Sequence, residues 1–418
     1  MSELDFLLDP IAPVDFFRDH WDQQALHIPG TPDKFAKIYD ARMWAEFEGV
    51  SDLKAVTTNA AGVQVETPAL PHQAGVLFMA GFTICADVSN APSLAPFLRD
   101  FRRDLQLGGG AAFAKLYASN DGKGFMVHAD GHHVFVLQIS GKKLWRFSRT
   151  PVVASPTQGL FLRADGQPYW TDGENRHPAC NDDGTPVPPP DAATFDSALL
   201  EPGHCLYLPP GTWHVARAVG HSIAVSISPK RATVTDLFLN AIGDLLADRP
   251  EWRRDLLAPP SGPQGAGSID AVDASVAQVI DKRLAELRAA LASLDPRYLQ
   301  RHWMRDVTAG HGQGPNDIAA AAAKDIEIRR STVFTRADDG QPFRFMVAPD
   351  GPDQEERCYF YRDGEWSLPA SARAFLTELG NHQEFRAEQA LAWDRKLRFD
   401  DVRAFLGTLV AAGVLRAR

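Results

Sequence analysis

His128 and Asp130 stand two residues apart, and on an extended strand that spacing puts both side chains on one face. Imidazole nitrogen and carboxylate oxygen both ligate divalent transition metals, although a His-x-Asp triplet alone arises by chance and equally describes a solvated loop. The weight comes from His214, 84 residues beyond Asp130 (214 − 130). It follows Tyr207-Leu208-Pro209-Pro210-Gly211-Thr212-Trp213, a strand and tight turn that would project it inward. Two histidines and one carboxylate on barrel strands make the three-ligand face suited to non-haem Fe(II), with open positions for substrate and dioxygen. A closed structural zinc site would require a fourth ligand. His132 and His133 follow at once, but the triad is complete without them, and they read as surface or pocket-rim histidines.

Lys143 lies thirteen residues beyond Asp130, after Ser140-Gly141, which reads as a turn. Alternation would place it on the face of Trp145 and Phe147, an unusual position for a lysine without an anionic partner. It could equally snorkel out of a half-buried strand. A dicarboxylate cosubstrate would resolve the oddity, chelating iron through one carboxylate and its adjacent keto oxygen while the distal carboxylate meets Lys143.

The elements that must position these residues run from Phe113 to Ser228, where short apolar or alternating runs broken by Gly and Pro predict antiparallel strands of a sandwich or barrel. The clearest are 134–139, 144–147, 205–208 and 222–228. In the last, Ile223, Val225 and Ile227 share one face; Ser222, Ala224, Ser226 and Ser228 share the other, as suits a strand lining a wet cavity. Residues 151–190, rich in Pro, Gly, Asp and Asn, read as a long inserted loop. Before the barrel, a helix near Pro13 and a short strand at Leu26-His27-Ile28 are expected to dock on the sheet.

After Pro229 the period becomes helical. Leu237, Leu239, Ile242, Leu245 and Leu246 mark one amphipathic segment; Val276, Ile280, Leu284, Leu287, Leu291 and Leu294 mark another, with Pro259 to Pro263 as the connector. Such a helix pair needs a partner face, which self-association can supply. From near Asp325, strands at 343–347 and 358–361 and helices at 370–379, 387–392 and 400–412 predict a small α+β unit like a winged helix. No dense basic stripe marks it as a nucleic-acid reader rather than a packing or dimer-supporting module.

The 418 residues are 44% hydrophobic and 23% charged, enough for two or three domains with full cores. No apolar run of about 18 residues occurs, and the N-terminus opens acidic, so neither a membrane span nor a secretory signal is expected and the predicted location is the cytoplasm. The four cysteines are scattered, which fits reduced thiols and excludes a cysteine-based metal site. A net charge of −10 argues against a nucleic-acid-gripping protein and favours a basic partner.

The run Val127-His128-Ala129-Asp130-Gly131-His132-His133-Val134-Phe135, continuing through Ser140-Gly141-Lys142-Lys143-Leu144-Trp145-Arg146-Phe147, together with Glu201-Pro202-Gly203-His204 and the 205–214 segment, resembles the JmjC-type ribosomal oxygenases, the cupin-like 2-oxoglutarate hydroxylases. The resemblance covers residues 10–232, and the domain order beyond follows the same family. It implies a mainly β catalytic domain, a double-stranded β-helix or cupin-like JmjC barrel (1–232), then an α-helical dimerisation domain (233–310) and a C-terminal winged-helix-like α+β domain (320–418). It implies Fe(II) held by His128, Asp130 and His214, with Lys143 on the distal carboxylate of 2-oxoglutarate, dioxygen as the oxidant, and Ser228 and Tyr117 near the cosubstrate.

The activity implied is hydroxylation of a protein side chain, in a basic ribosomal protein, by a homodimeric enzyme with no membrane partner. Two departures, Ala129 where relatives carry an aromatic residue and His133 where an acidic residue is frequent, are expected to alter the pocket mouth and so the substrate. Hydroxylation of another peptide or of a small molecule is the alternative they motivate. From a different class comes a non-catalytic metal-bound cupin sensor with a nucleic-acid-binding C-terminal domain, which would have no need of a buried cation at Lys143.

Overall fold

The computed structural model describes residues 2–418 apart from 40–49, 51, 59–63, 106, 108–110, 164, 173–174, 182, 231–232, 255–273, 293, 309–326, 338–342, 350–354 and 362–364. The chain divides into two compact units, Met1–Arg231 and Ala232–Arg418.

The first unit opens with helix α1 (Glu3–Leu8), whose capping box pairs the Ser2 hydroxyl with the Asp5 N–H, and α2 (Pro13–Asp19), which starts on proline. Strands β1 (Leu26–Ile28), β2 (Leu53–Thr58) and β3 (Gln64–Pro68) follow, then α3 (Ala74–Met79), β4 (Thr83–Asp87), α4 (Ala95–Asp104) and β5 (Ala111–Ser119). The chain then forms β6 (His128–Ala129), β7 (Val134–Phe147), β8 (Leu160–Leu162), β9 (Pro168–Asp172), β10 (Asn175–Pro178), β11 (Asp196–Leu200), β12 (Cys205–Leu208) and β13 (His214–Lys230).

Strand β13 is the hub. Its second half pairs with β5 on one edge and β7 on the other, while His214 at its start pairs with His128 of β6. From there the sheet extends through β5, β4, β2 and β3 in one direction and through β6, β8, β9 and β10 in the other; β7 carries β11 and β12, and β12 carries β1. The β-rich architecture and the docked strand at residues 26–28 are as expected.

Two expectations are corrected. Residues 134–139 and 144–147 are one strand, β7, and Ser140-Gly141 is not a turn: the ladder to β13 continues past it through register shifts. Gly141, with φ +65°, is needed there because a Cβ would meet the His221 carbonyl oxygen at 1.8 Å. Residues 151–190 are not a bare loop, since β8, β9 and β10 form an antiparallel meander within them. These strands are short and broken by Gly, Asp and Pro, so alternation has too few residues to register.

The alternation of residues 222–228 partitions the unit. Ile223, Val225 and Ile227 join Phe135, Leu137 and Tyr207 in a core closed by Phe16 of α2 and Phe101 of α4. Ala224, Ser226 and Ser228 face a cavity instead. Val134, Val136, Trp145, Phe147, Leu200, Leu206 and Leu208 form a separate buried cluster. All four cysteines are free.

The second unit begins with α5 (Val234–Ala247), α6 (Ala274–Ala292) and α7 (Pro296–Thr308). The first covers the segment expected from Leu237 to Leu246; the second covers Val276 to Leu291 of the segment expected to reach Leu294, which lies beyond its end; the Pro259 to Pro263 connector lies outside the described residues. Strands β14 (Val333–Arg336), β15 (Phe345–Pro349), β16 (Glu356–Tyr361), β17 (Glu365–Pro369), β18 (Glu384–Arg386) and β19 (Leu415–Ala417) accompany α8 (Arg373–Leu379), α9 (Ala387–Leu391) and α10 (Phe399–Ala411). The strands make two three-stranded sheets, β18-β14-β19 and β15-β16-β17. Phe334, Phe360, Phe375, Leu376, Phe405 and Leu406 fill their shared core with the helices. No helix among the described residues is long and apolar enough to cross a membrane.

Candidate metal centre

His128 and His214 face each other across the β6–β13 ladder, with ring centroids 4.3 Å apart. His128 Nδ1 lies 2.7 Å from the Met126 carbonyl oxygen, and His214 Nδ1 lies 2.9 Å from that of Thr212. A carbonyl can only accept, so each Nδ1 carries a proton and donates it, which selects the tautomer whose neutral ring offers its lone pair at Nε2. Asp130, two residues along from His128, closes the set. Its Oδ2 is 3.6 Å from His214 Nε2, and the donor atoms of all three residues lie within 4.8 Å of one another. Among the described residues this is the one cluster of at least three such donors.

The backbone fixes this arrangement. Gly211 donates its N–H to the Asp130 carbonyl oxygen at 2.8 Å, tying the turn before His214 to the residue that supplies the carboxylate. Gly211 adopts φ +77°, and a Cβ there would stand 2.4 Å from the Val153 carbonyl oxygen.

Electrostatics favour a cation at the centre of the three. Burial, with His128 alongside, pushes the His214 imidazole down to about 4, so it is neutral at physiological pH. Burial alone would raise the Asp130 carboxyl, but His128, His132, His214 and Lys115 together hold it below the ordinary carboxylate range. The neutral His214 imidazole and the ionised Asp130 carboxylate are in the states that metal ligation requires.

These groups open onto a cavity of about 230 Å³. Tyr117, Lys143 and Ser228 all line it, so every site residue expected from the sequence meets there. Lys143 is 3% exposed and makes no hydrogen bond or salt bridge among the described residues; its Nζ sits 5.7 Å from the Tyr117 ring centroid and 5.9 Å from that of Trp145. Burial brings its ammonium down to about 8. Lys143 therefore does not snorkel to solvent: it is a buried cation aimed into the cavity that holds the three donors. The Trp145 indole N–H, on another lining side chain, is likewise buried without a partner. An anion entering the cavity would satisfy what the protein leaves unpaired.

Other wall residues were not singled out from the sequence. Phe113, Lys115 and Tyr117 alternate along β5 and face Ser228, Ser226 and Ala224 of β13. Phe125 and Phe161 close the side near His128, whose ring stacks on Phe161 at 5.9 Å. The period-two spacing of 113, 115 and 117 puts the three on one face, and only the cross-strand register shows that this face is the cavity wall.

The two departures require correction. Ala129 points away from the cavity, into an apolar cluster with Leu160, Ala179, Val187 and Trp213. His133 is neither a surface nor a rim histidine: it is 3% exposed, stacked on Trp21 at 3.8 Å, with Nδ1 2.8 Å from the Tyr207 hydroxyl and Nε2 3.3 Å from Asp22. Strand alternation turns Ala129 away from the wall residues on either side of it, and His133, in the segment just before β7, turns away from the cavity between lining His132 and Val134. His132 does line the cavity, its ring 5.0 Å from that of Phe113, and burial holds its imidazole below the ordinary range.

Residues 99–237 match the JmjC domain family. YxbC of Bacillus subtilis (strain 168) is 24% identical over 270 residues, covering 60% of this chain and 78% of that protein. The protein named ribosomal oxygenase 1 of Gallus gallus is 26% identical over 371 residues, 78% of this chain and 57% of that protein; the rat protein of the same name matches over 42% of its length. The chain thus spans about half the length of these oxygenases. A solved structure of YcfD, a ribosomal oxygenase from Escherichia coli, in complex with cobalt and 2-oxoglutarate is 19% identical over 98% of this chain and 99% of that one, with a TM-score of 0.45.

Proposed function

We propose that this chain, which carries a JmjC domain, is an Fe(II)- and 2-oxoglutarate-dependent oxygenase that hydroxylates a protein side chain, in a ribosomal protein. The observation that carries the reading is the unpaired, buried Lys143 ammonium in the cavity of the three metal-competent donors. A metal site alone needs no such cation, whereas a cosubstrate with two carboxylates supplies the missing partner.

His128, Asp130 and His214 would hold Fe(II), leaving open positions toward the cavity. The metal with 2-oxoglutarate and dioxygen supplies oxidation of a substrate C–H to C–OH, coupled to release of carbon dioxide and succinate. The protein's own groups prepare this. The Met126 and Thr212 carbonyls accept from the two Nδ1–H groups, fixing the ring orientations and leaving Nε2 as the ligating atom. Lys143 receives the distal carboxylate, with Tyr117 and Ser228 beside it on the wall. Trp145, Phe125 and Phe161 narrow the cavity and exclude water, which limits unproductive oxidation.

Residues 233–310 are read as the dimerisation segment, supported by exposed apolar side chains on α5 and α6, among them Phe238, Leu239, Ile280 and Leu284. Residues 320–418 are read as a winged-helix-like packing module, supported by the β18-β14-β19 sheet packed with α9 and α10. The alternative substrates motivated by Ala129 and His133 lose their ground, because neither side chain reaches the cavity.

The test is succinate formation from 2-oxoglutarate with Fe(II) and air, with and without an added fraction of basic ribosomal proteins. Stimulation by that fraction, with one oxygen added to a member of it, is the expected result. Turnover without stimulation refutes the ribosomal substrate, and no turnover under any condition refutes the oxygenase.

A further inference from the structure

The cavity holds a second cation that the reading above leaves unused. Lys115 projects from β5 between Phe113 and Tyr117, opposite Ser226 of β13. It makes no hydrogen bond or salt bridge among the described residues. Asp87 faces it across the β4–β5 ladder, but that carboxylate accepts the Ser89 N–H at 2.9 Å and lies outside the cavity wall. Lys54, also on the wall, is by contrast engaged, 3.5 Å from Glu66. Lys115 and Asp130 line the same cavity, and Lys115 helps hold the Asp130 carboxyl below its ordinary range.

Charge balance then decides what Lys115 is for, given the reading above on which this step rests. In the loaded cavity a divalent metal and the Lys143 ammonium are cancelled by the Asp130 carboxylate and a doubly charged 2-oxoglutarate, and Lys54 is cancelled by Glu66. Lys115, part-exposed on the wall between Phe113 and Tyr117, is left with no hydrogen-bonded or ion-paired anion inside the cavity among the described residues, since the carboxylate across the ladder, Asp87, is not among the lining groups. We propose that Lys115 is a specificity-determining residue that receives the carboxylate of an aspartate or glutamate side chain presented by the protein substrate, and that the cavity rejects arginine and lysine. The net charge of −10 bears on attraction of the whole partner and the cavity charge on the residue admitted, so a basic protein and an acidic target residue are compatible.

The experiment uses the full chain loaded with Mn(II) and 2-oxoglutarate, and reads the relaxation that the paramagnetic metal imposes on the protons of three probes. These are N-acetyl-aspartate N-methylamide, N-acetyl-arginine N-methylamide and acetate. The aspartate probe is expected to bind saturably and at least about tenfold more tightly than the other two, a difference on the scale of one charge-assisted hydrogen bond. Lys115→Met is expected to weaken it about ten- to a hundredfold with 2-oxoglutarate binding unchanged, which also shows that the variant is folded; Lys115→Arg is expected to keep most of it. No saturable binding of the aspartate probe, equal binding of the arginine probe, or indifference to Lys115→Met would overturn the assignment. Acetate binding as tightly would overturn the peptide-borne ligand. Weaker 2-oxoglutarate binding in Lys115→Met would make Lys115 the cosubstrate's partner and overturn it too. Failure of the wild-type protein to bind 2-oxoglutarate at all strikes instead at the oxygenase reading, and removes the charge balance with it.

Discussion

Replacing Lys143 by methionine, an unbranched side chain of similar length, separates the cost of a buried cation from its use. Folding brings this lysine from an ordinary 10.5 to about 8, which at about 1.4 kcal/mol per tenfold amounts to as much as about 3 kcal/mol of destabilisation at neutral pH. The sign follows from proton binding. Between pH 8 and 10.5 the unfolded chain holds a proton that the native cavity has released, so stability rises with pH across that window and the full cost is present below it. Lys143→Met is therefore expected to raise the melting temperature of the metal-free protein at pH 7 by several degrees, and the gain should shrink as pH climbs from 8 toward 10.5.

The same substitution removes the partner of the distal carboxylate, for an expected loss of about tenfold to a hundredfold in 2-oxoglutarate affinity. In the wild type, only the protonated lysine can make that pair. With its ammonium at about 8, affinity should fall about tenfold between pH 7 and pH 9. Melting curves and 2-oxoglutarate titrations of the two proteins across this range read both effects. A variant that melts lower than wild type at pH 7, or one that binds 2-oxoglutarate undiminished, would refute the reasoning.

Alanine at His128, Asp130 or His214 should abolish iron-dependent turnover and lower metal affinity in equilibrium dialysis while leaving the far-UV spectrum unchanged; retained turnover in any of the three removes that ligand. Tyr207→Phe deletes the hydroxyl that His133 meets at 2.8 Å and should cost about 1–3 kcal/mol in denaturant unfolding with metal affinity unchanged, since this pair braces α2 against the barrel wall. Glutamate at both Ile280 and Leu284, which are 48% and 40% exposed on α6, should shift the sedimentation profile to monomer if α6 forms the dimer seam; an unchanged profile excludes that seam.

The metal-competent residues were legible because ligand chemistry restricts residue type and strand alternation restricts spacing, and the structure joins His128, Asp130 and His214 as those constraints required. Lys143 was legible as an anomaly, a cation on an apolar face. Lys115 was not, because a lysine between Phe113 and Tyr117 looks like the polar half of an alternating strand until the cross-strand neighbours Ser228, Ser226 and Ala224 show which face is inward. Ala129 was misread for the complementary reason: it sits between two ligands in sequence, and adjacency on a strand means opposite faces, while His133, just before β7, packs on Trp21 and meets the Tyr207 hydroxyl instead. In the fold, α5, α6, α10 and parts of β7 and β13 announced themselves by period, α4 and α7 did not, and β8 to β10 and β17 to β19, each five residues or fewer, depend on tertiary pairing that no local pattern reports.

A crystal structure of the full chain with Mn(II) and 2-oxoglutarate tests the central claim most directly. The expected result is one metal bound by His128 Nε2, the Asp130 carboxylate and His214 Nε2, chelated by 2-oxoglutarate, with its distal carboxylate on Lys143 Nζ and Lys115 left facing open cavity. A metal held by other residues, or a distal carboxylate bound by Lys115 with Lys143 still unpaired, would contradict the account.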